Sequence, residues 1–146
     1  ECLAALQRPQ PRSALGQALR GLASAMLDVS DGLLGDLAHI LERSHVGAVL
    51  DAPSLPLAAL LTTGAPPGSA RHCLLSGGDD YELLFTAAPG ARATLAALGA
   101  RLGVALHRIG FITAQAGEIM LHEADGQHVS LAAAGYDHFA RKPAPS

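Results

Sequence analysis

The segment from residue 25 to residue 51 limits the possible folds more than any other part of the chain. Its central stretch carries apolar residues at helical spacing and predicts an amphipathic helix, which Ser30 is placed to cap. The polar residues of the helix are expected largely on its outer side. Short apolar runs at 25–29 and 47–51 predict buried strands on either side of it. The apolar stripe consists of Leu33, Leu34, Leu37, Ile40 and Leu41, and the polar residues are Asp36, His39, Glu42 and Arg43.

Further helices and strands are predicted along the rest of the chain, without strict alternation. Helices are expected at 13–22, 57–61 and 91–102, and strands at 81–87, 106–113, 118–122 and 128–131. This order favours an α+β fold with a mixed or antiparallel sheet covered by helices.

The last two strands suggest a hairpin around Asp125-Gly126, a common two-residue turn. Such a turn pairs His122 with Val129, and His128 with Glu123. Adjacent pairs face opposite sides of a sheet, so these two histidines are not expected to share a metal ion.

Length, charge and composition exclude several classes of protein. With 146 residues, 49% of them hydrophobic, the chain suits one domain with a sizeable core. A formal net charge of -3 gives no basic footprint for nucleic acid. No apolar run reaches the roughly 18 residues that crossing a bilayer requires, and no signal peptide is visible. Cys2 and Cys73 lie far apart and outside any CxxC pattern, so we expect a cytoplasmic protein with free thiols. From the charge and the short apolar runs, we expect no membrane or nucleic-acid partner.

The start of the chain suggests a domain of a longer protein. Residue 1 is Glu, and two prolines two positions apart in residues 8–12 do not suit a helix interior. We therefore expect a linker or domain entry at 1–12, a domain at 13–139 and a flexible tail at 140–146.

A first group of acids lies where the strand at 25–29 meets the following helix. Asp28 and Asp31 stand three residues apart at this junction, in the sequence DVSDGL. Two such carboxylates can converge on one Mg²⁺, which proteins typically bind through one or two carboxylates together with phosphate oxygens. Ser30 and the N–H groups of the helix start could contact phosphate. Serine and aspartate before an apolar helix are also common caps, so the spacing leaves both interpretations open.

A second group of acids follows two glycines, in the sequence SGGDD at residues 76–80. Glycines permit positive φ and close approach of the backbone to a ligand. Two adjacent acids are costly unless they are solvated, paired or bound to a cation. An ordinary Gly-Asp turn before a strand is an equally good interpretation. Glu82, in the apolar strand that follows, either faces solvent or has a partner.

An aromatic group lies near the end of the chain, in the sequence GYDHF at residues 135–139. The ring of Tyr136 could stack on a heterocyclic ligand. It could also simply anchor the C-terminus to the core.

The order of these motifs is more specific than any one of them. The series DVSDGL, DLAHIL, LSGGDDYELLF, IGFI and GYDHF resembles thiamine-monophosphate kinases over almost the whole chain. DVSDGL alone points only to the wider aminoimidazole ribonucleotide synthetase-like superfamily, which includes selenophosphate synthetase and a hydrogenase maturation factor. GGDDYELLF and GYDHF together narrow the resemblance to the thiamine kinase.

The resemblance implies a fold, a reaction and partners. It implies the C-terminal α+β domain of these enzymes, with a mixed β-sheet and helices in α/β/α layers. The enzymes are homodimers that transfer the γ-phosphoryl group of ATP to thiamine monophosphate, giving thiamine diphosphate, with several Mg²⁺ ions. The missing N-terminal nucleotide-binding domain carries most of the nucleotide site, so this chain alone is expected to be inactive.

The resemblance also implies roles for five residues. Asp28 and Asp31 would bind Mg²⁺, Ser30 would contact ATP, and Asp79 and Tyr136 would contact the substrate. No catalytic nucleophile is expected, because such transfer depends on alignment and charge neutralisation. The alternatives are a related ATP-dependent enzyme such as selenophosphate synthetase, or a non-catalytic ligand-binding or dimerisation module.

Overall fold

The structure, a computed structural model, describes residues 13–30, 32–57, 61, 64, 66–77 and 82–131. Within this part of the chain, short 3₁₀ turns follow β2 at Ala52–Ser54 and precede α4 at Pro89–Ala91. The longer elements are, in chain order, α1 (Ser13–Ala18), β1 (Ala23–Asp28), α2 (Leu33–Ser44), β2 (Gly47–Asp51), α3 (Pro67–Ser76), β3 (Leu83–Ala87), α4 (Arg92–Leu102), β4 (Gly110–Thr113), β5 (Ile119–His122) and β6 (His128–Leu131).

The strands form one antiparallel pair and one mixed sheet. β1 pairs antiparallel with β3. The other sheet has the order β4-β2-β5-β6, in which β2 runs antiparallel to β4 and parallel to β5. A parallel neighbour needs a long connection, and here α3, β3, α4 and β4 lie between β2 and β5 in the chain. The predicted α+β fold with a mixed sheet is confirmed.

Two apolar clusters lie on opposite faces of the β1–β3 pair. Successive strand residues point to opposite faces, so Leu84 belongs to one cluster while Leu83 and Phe85 pack against the other. The larger cluster joins the stripe of α2 to β2 and β5. The smaller one joins α1 and the turn after it to α4 through Leu15, Leu19 and Leu98. Helices therefore cover both faces of the pair that carries the first motif.

The hairpin register differs from the predicted one by one residue. His122 lies directly opposite His128, and their ring centroids are 4.9 Å apart. The amide of Gly126 donates to the carbonyl of Glu123, and Gly126 has φ 84°. This is a three-residue loop with a glycine in the left-handed region, which shifts the pairing by one position and puts both histidines on the same face.

Three further elements differ from the sequence predictions. α1 ends at Ala18 rather than at residue 22. The strand predicted at 106–113 begins only at Gly110, because its partner β2 ends at Asp51 and the chain then turns into Ala52–Ser54. α3 was not predicted at all. Of the short helix predicted at 57–61, the structure describes one helical hydrogen bond, from the amide of Leu61 to the carbonyl of Leu57 at 3.0 Å.

Within the described ranges, no helix combines the length and the apolar character needed to cross a bilayer.

Candidate functional site

The end of β1 lies beside the start of β3. Asp28, the last residue of β1, is paired with Leu83, and the amide of Val29 donates to the carbonyl of Glu82 at 2.8 Å. Val29 begins the loop of the first acidic motif, and Glu82 follows the second. The strand pairing thus places the start of the first motif beside Glu82, shortly after the acids of the second.

Gly32 provides a second contact between the two motifs. It has φ 92° and ψ 153°, a conformation that essentially only glycine adopts. A Cβ atom added at Gly32 would lie 2.9 Å from the carbonyl carbon of Ser76 and 3.1 Å from the carbonyl oxygen of Gly77. The first loop therefore lies directly against the C-terminal end of α3, where the glycines of the second motif begin. Gly77 itself has φ −78°, so it does not use the positive φ that glycine permits.

Asp36 holds the first loop from inside the fold. Asp36 is only 4% exposed, whereas the sequence predicted it on the outer side of the helix. Its Oδ2 atom accepts a hydrogen bond from the backbone amide of Ser30 at 2.8 Å. Gly32 occupies the N-cap position of α2 with no side-chain cap, so the predicted capping role of Ser30 is wrong. Ser30 contributes its backbone N–H to the helix start instead of its hydroxyl.

Two of the five predicted site residues lie in the described ranges. Asp28 and Ser30 are both exposed, at the end of β1 and in the loop after it. Asp31, Asp79 and Tyr136 lie outside the described residues. An exposed carboxylate at a strand end suits Mg²⁺, which keeps several waters and takes few protein ligands. The donor chemistry at Asp28 therefore fits the expected ion.

A further polar cluster includes residues of β2, β5 and β6. The Ser54 hydroxyl donates to the Asp51 carboxylate and lowers the pKa of Asp51 below its usual value, and His122, 3.3 Å from the same carboxylate, adds to this effect. The His128 ring, whose centroid lies 4.9 Å from that of His122 with the two planes tilted by 35°, extends the cluster to the last strand. Among the residues that the structure describes, no three His, Cys, Asp or Glu side chains are arranged to hold a metal ion.

α3 is tied to the hairpin by a paired ion contact. Arg71 donates from both terminal nitrogens to the carboxylate of Glu123, at 2.9 and 2.5 Å. The pair is partly buried, and it helps to set the position of the helix whose end meets Gly32. A surface depression of about 390 Å³ lies near the other end of α2, lined by Glu42 and His45 among others, and contains none of the predicted site residues.

Asp36 is the residue of this region that sequence reasoning missed. A usable signal was present, because Asp36 stands three residues after Leu33 and four before Ile40, at the edge of the apolar stripe. Its burial follows from that position. Its bond to Ser30 depends on the path of the loop, which spacing does not give.

Comparison with known proteins identifies the family. A family model described as AIR synthase related protein, C-terminal domain, matches residues 1–123. The chain belongs to this family. The matched residues include 1–12, for which the linker or domain entry remains a prediction.

The curated relatives of the chain include thiamine-monophosphate kinases. The kinase of Escherichia coli (strain K12) is 44% identical over 133 residues, which cover 91% of this chain and 41% of that enzyme. The chain thus spans about two fifths of the length of the curated relatives that it matches.

Solved structures give the same result. The thiamine-monophosphate kinase from Stenotrophomonas maltophilia K279a has a TM-score of 0.73 and 49% identity, covering 82% of this chain and 37% of that one. The structure of AaThiL complexed with AMPPCP and TMP has a TM-score of 0.67 and 28% identity, covering 94% of this chain and 40% of that one.

Proposed function

We propose that this chain is the C-terminal domain of a kinase that transfers the γ-phosphoryl group of ATP to thiamine monophosphate. In this reaction a terminal phosphate oxygen of thiamine monophosphate forms a bond to the γ-phosphorus. The bond from that phosphorus to the β–γ bridging oxygen breaks, and ADP and thiamine diphosphate result. The contact of the two acidic motifs at Gly32, in a relative of thiamine-monophosphate kinases, carries this proposal. A related structure holds AMPPCP and TMP, which agrees with an ATP-type nucleotide and a second ligand.

The chemistry expected of the protein is positioning and charge neutralisation. Phosphoryl transfer needs the attacking and leaving oxygens in line and the charge on the phosphate oxygens balanced. Mg²⁺, when bound, supplies that balancing charge. In our proposal Asp28 and Asp31 hold Mg²⁺, and Ser30 contacts the nucleotide beside them. No residue of the chain needs to form a covalent intermediate.

The substrate side of the proposal rests on the second and third motifs. Asp79 would contact thiamine monophosphate next to the acids of the first loop, because Gly77, two residues before it, lies against Gly32. Tyr136 would place its ring against the flat part of the substrate. The site would be completed by an N-terminal nucleotide-binding domain, and two copies of the complete enzyme would form a homodimer. The chain alone would then lack phosphoryl-transfer activity.

The test is a substrate panel with the complete protein that contains this chain. ATP and Mg²⁺ are combined with thiamine monophosphate, with thiamine, with selenide or with aminoimidazole ribonucleotide precursors, and product formation is followed. We expect thiamine diphosphate from thiamine monophosphate and no turnover of the other substrates. Turnover of selenide instead would make the protein a related synthetase. Binding of ATP without turnover of any substrate would make it a ligand-binding module.

A matched pair of variants ties the activity to this chain. Asp28→Asn removes a charge at the proposed site, whereas Glu42→Gln makes the same chemical change at an exposed position of α2. We expect the first to lose activity and the second to keep it. Equal activity in the two variants would show that the first motif takes no part in the reaction.

A further inference from the structure

Asp36 is the only charged side chain among the described residues that is buried, and it touches the proposed nucleotide-binding loop. A buried carboxylate is costly unless hydrogen bonds stabilise it. Part of that stabilisation comes from the Ser30 amide, whose nitrogen lies 2.8 Å from Oδ2. Asp36 also stands in the first turn of α2, where the helix dipole favours a negative charge.

The geometry is that of an enlarged capping box. In the usual capping box a side chain in the first turn reaches back to the N–H of the N-cap residue. Here Gly32 is the N-cap, and Asp36 reaches two residues further back, to Ser30. The carboxylate therefore closes the loop between β1 and α2 onto the helix. The loop is held at three points: Val29 on Glu82, Gly32 on Ser76, and Ser30 on Asp36.

We infer that Asp36 is a positioning residue that fixes the backbone of Ser30 for nucleotide binding. This inference rests on the proposed function. With only 4% of its surface exposed, Asp36 has no room for an ion that keeps its own waters. Its influence on the reaction runs through the path of the loop. A loop freed from Asp36 must be ordered again each time nucleotide binds, which weakens binding.

Two substitutions separate positioning from other roles. Asp36→Asn keeps an oxygen that can accept the Ser30 N–H, whereas Asp36→Leu keeps the volume and burial but removes the acceptor. In the complete protein we expect Asp36→Leu to weaken AMPPCP binding, measured by calorimetry, about 10- to 100-fold, which corresponds to roughly 1.4–2.8 kcal/mol. Asp36→Asn should weaken binding less, so that its affinity for AMPPCP is at least about threefold higher than that of Asp36→Leu. Glu42→Gln, on the exposed face of the same helix, serves as the control and should bind AMPPCP like the wild type.

The Ser30 amide itself gives a measurement that needs no variant. Hydrogen exchange followed by NMR on the wild-type chain should show the Ser30 amide protected although the residue is exposed, because Asp36 holds its hydrogen. Exchange as fast as that of an unstructured loop would overturn the inference even if the Leu variant failed to fold.

The outcomes of these experiments are distinct. Folded Asp36→Leu with wild-type AMPPCP affinity would overturn the positioning role. Asn as harmful as Leu, together with a weakened Mg²⁺ dependence of binding, would make Asp36 a metal ligand and also overturn it. The proposed function fails separately, if the wild-type complete protein makes no thiamine diphosphate while the Ser30 amide is still protected.

Discussion

Replacing Gly32 by alanine tests the contact on which the site depends. The new Cβ would lie 2.9 Å from the carbonyl carbon of Ser76 and 3.1 Å from its Cα, and both are backbone atoms that cannot rotate away. The backbone at Gly32, with φ 92° and ψ 153°, is also strained for any other residue. Strain of this kind costs about 1–3 kcal/mol, and forcing an extra carbon into a packed region costs about 1–3 kcal/mol more. We expect Gly32→Ala to lower the free energy of unfolding by about 2–6 kcal/mol.

Two other glycines serve as controls that distinguish backbone strain from steric overlap. Gly21 has φ 80° but open space around its Cβ position, so Gly21→Ala should show the backbone strain alone, about 1–2 kcal/mol. Gly68 lies in α3 with open space and without positive φ, so Gly68→Ala should stabilise the protein by about 0.5–1 kcal/mol.

Urea unfolding followed by circular dichroism measures all three variants on the chain itself. Each kcal/mol should also move Tm by about 3–4 °C at this chain length. If Gly32→Ala loses no more stability than Gly21→Ala, the start of α2 does not lie against the end of α3, and the argument for a joint site fails.

Four further predictions follow from the site and its surroundings. The chain incubated alone with ATP, Mg²⁺ and thiamine monophosphate should form no thiamine diphosphate, and turnover near that of a complete relative would show that the active site is misplaced. In the complete protein, Asp28→Asn and Asp31→Asn should each lower kcat about 100-fold with stability within about 1 kcal/mol of wild type; wild-type kinetics would leave both as turn residues. Tyr136→Ala should raise the KM for thiamine monophosphate about 3- to 30-fold while Tyr136→Phe is tolerated; a lowered Tm with unchanged KM would make the ring a C-terminal anchor. Ser54→Ala should raise the pKa of Asp51 towards its usual value in an NMR titration, and an unchanged pKa would contradict the bond. The variant should also lose the stabilisation that this bond gives at neutral pH, which in the wild type is lost as the pH falls through the folded pKa.

Local patterns in the sequence were enough for most of the strands and for two of the helices. The stripe of α2 and the apolar runs of β1 and β2 each depend on residues close in sequence, and each prediction is confirmed within one or two residues, apart from the start of α2. The stop of α4 at Gly103, which adopts the left-handed conformation, follows from the same local chemistry.

Features that depend on distant contacts were beyond the sequence. Pro67 and Gly68 suggest a loop, yet proline at the first turn is also compatible with a helix, and α3 forms where it packs against α2. The hairpin prediction chose the commonest turn for Asp-Gly, and a loop one residue longer reversed the face of His128. The contact between Gly32 and Ser76 joins segments more than forty residues apart, and nothing in the spacing of either motif indicates it.

A crystal structure of the complete protein with AMPPCP, Mg²⁺ and thiamine monophosphate tests the central claim most directly. We expect a metal ion about 2.0–2.1 Å from a carboxylate oxygen of Asp28, with the phosphates beside Ser30 and thiamine monophosphate near the end of α3. A nucleotide and metal bound elsewhere, with Asp28 facing only solvent, would contradict it.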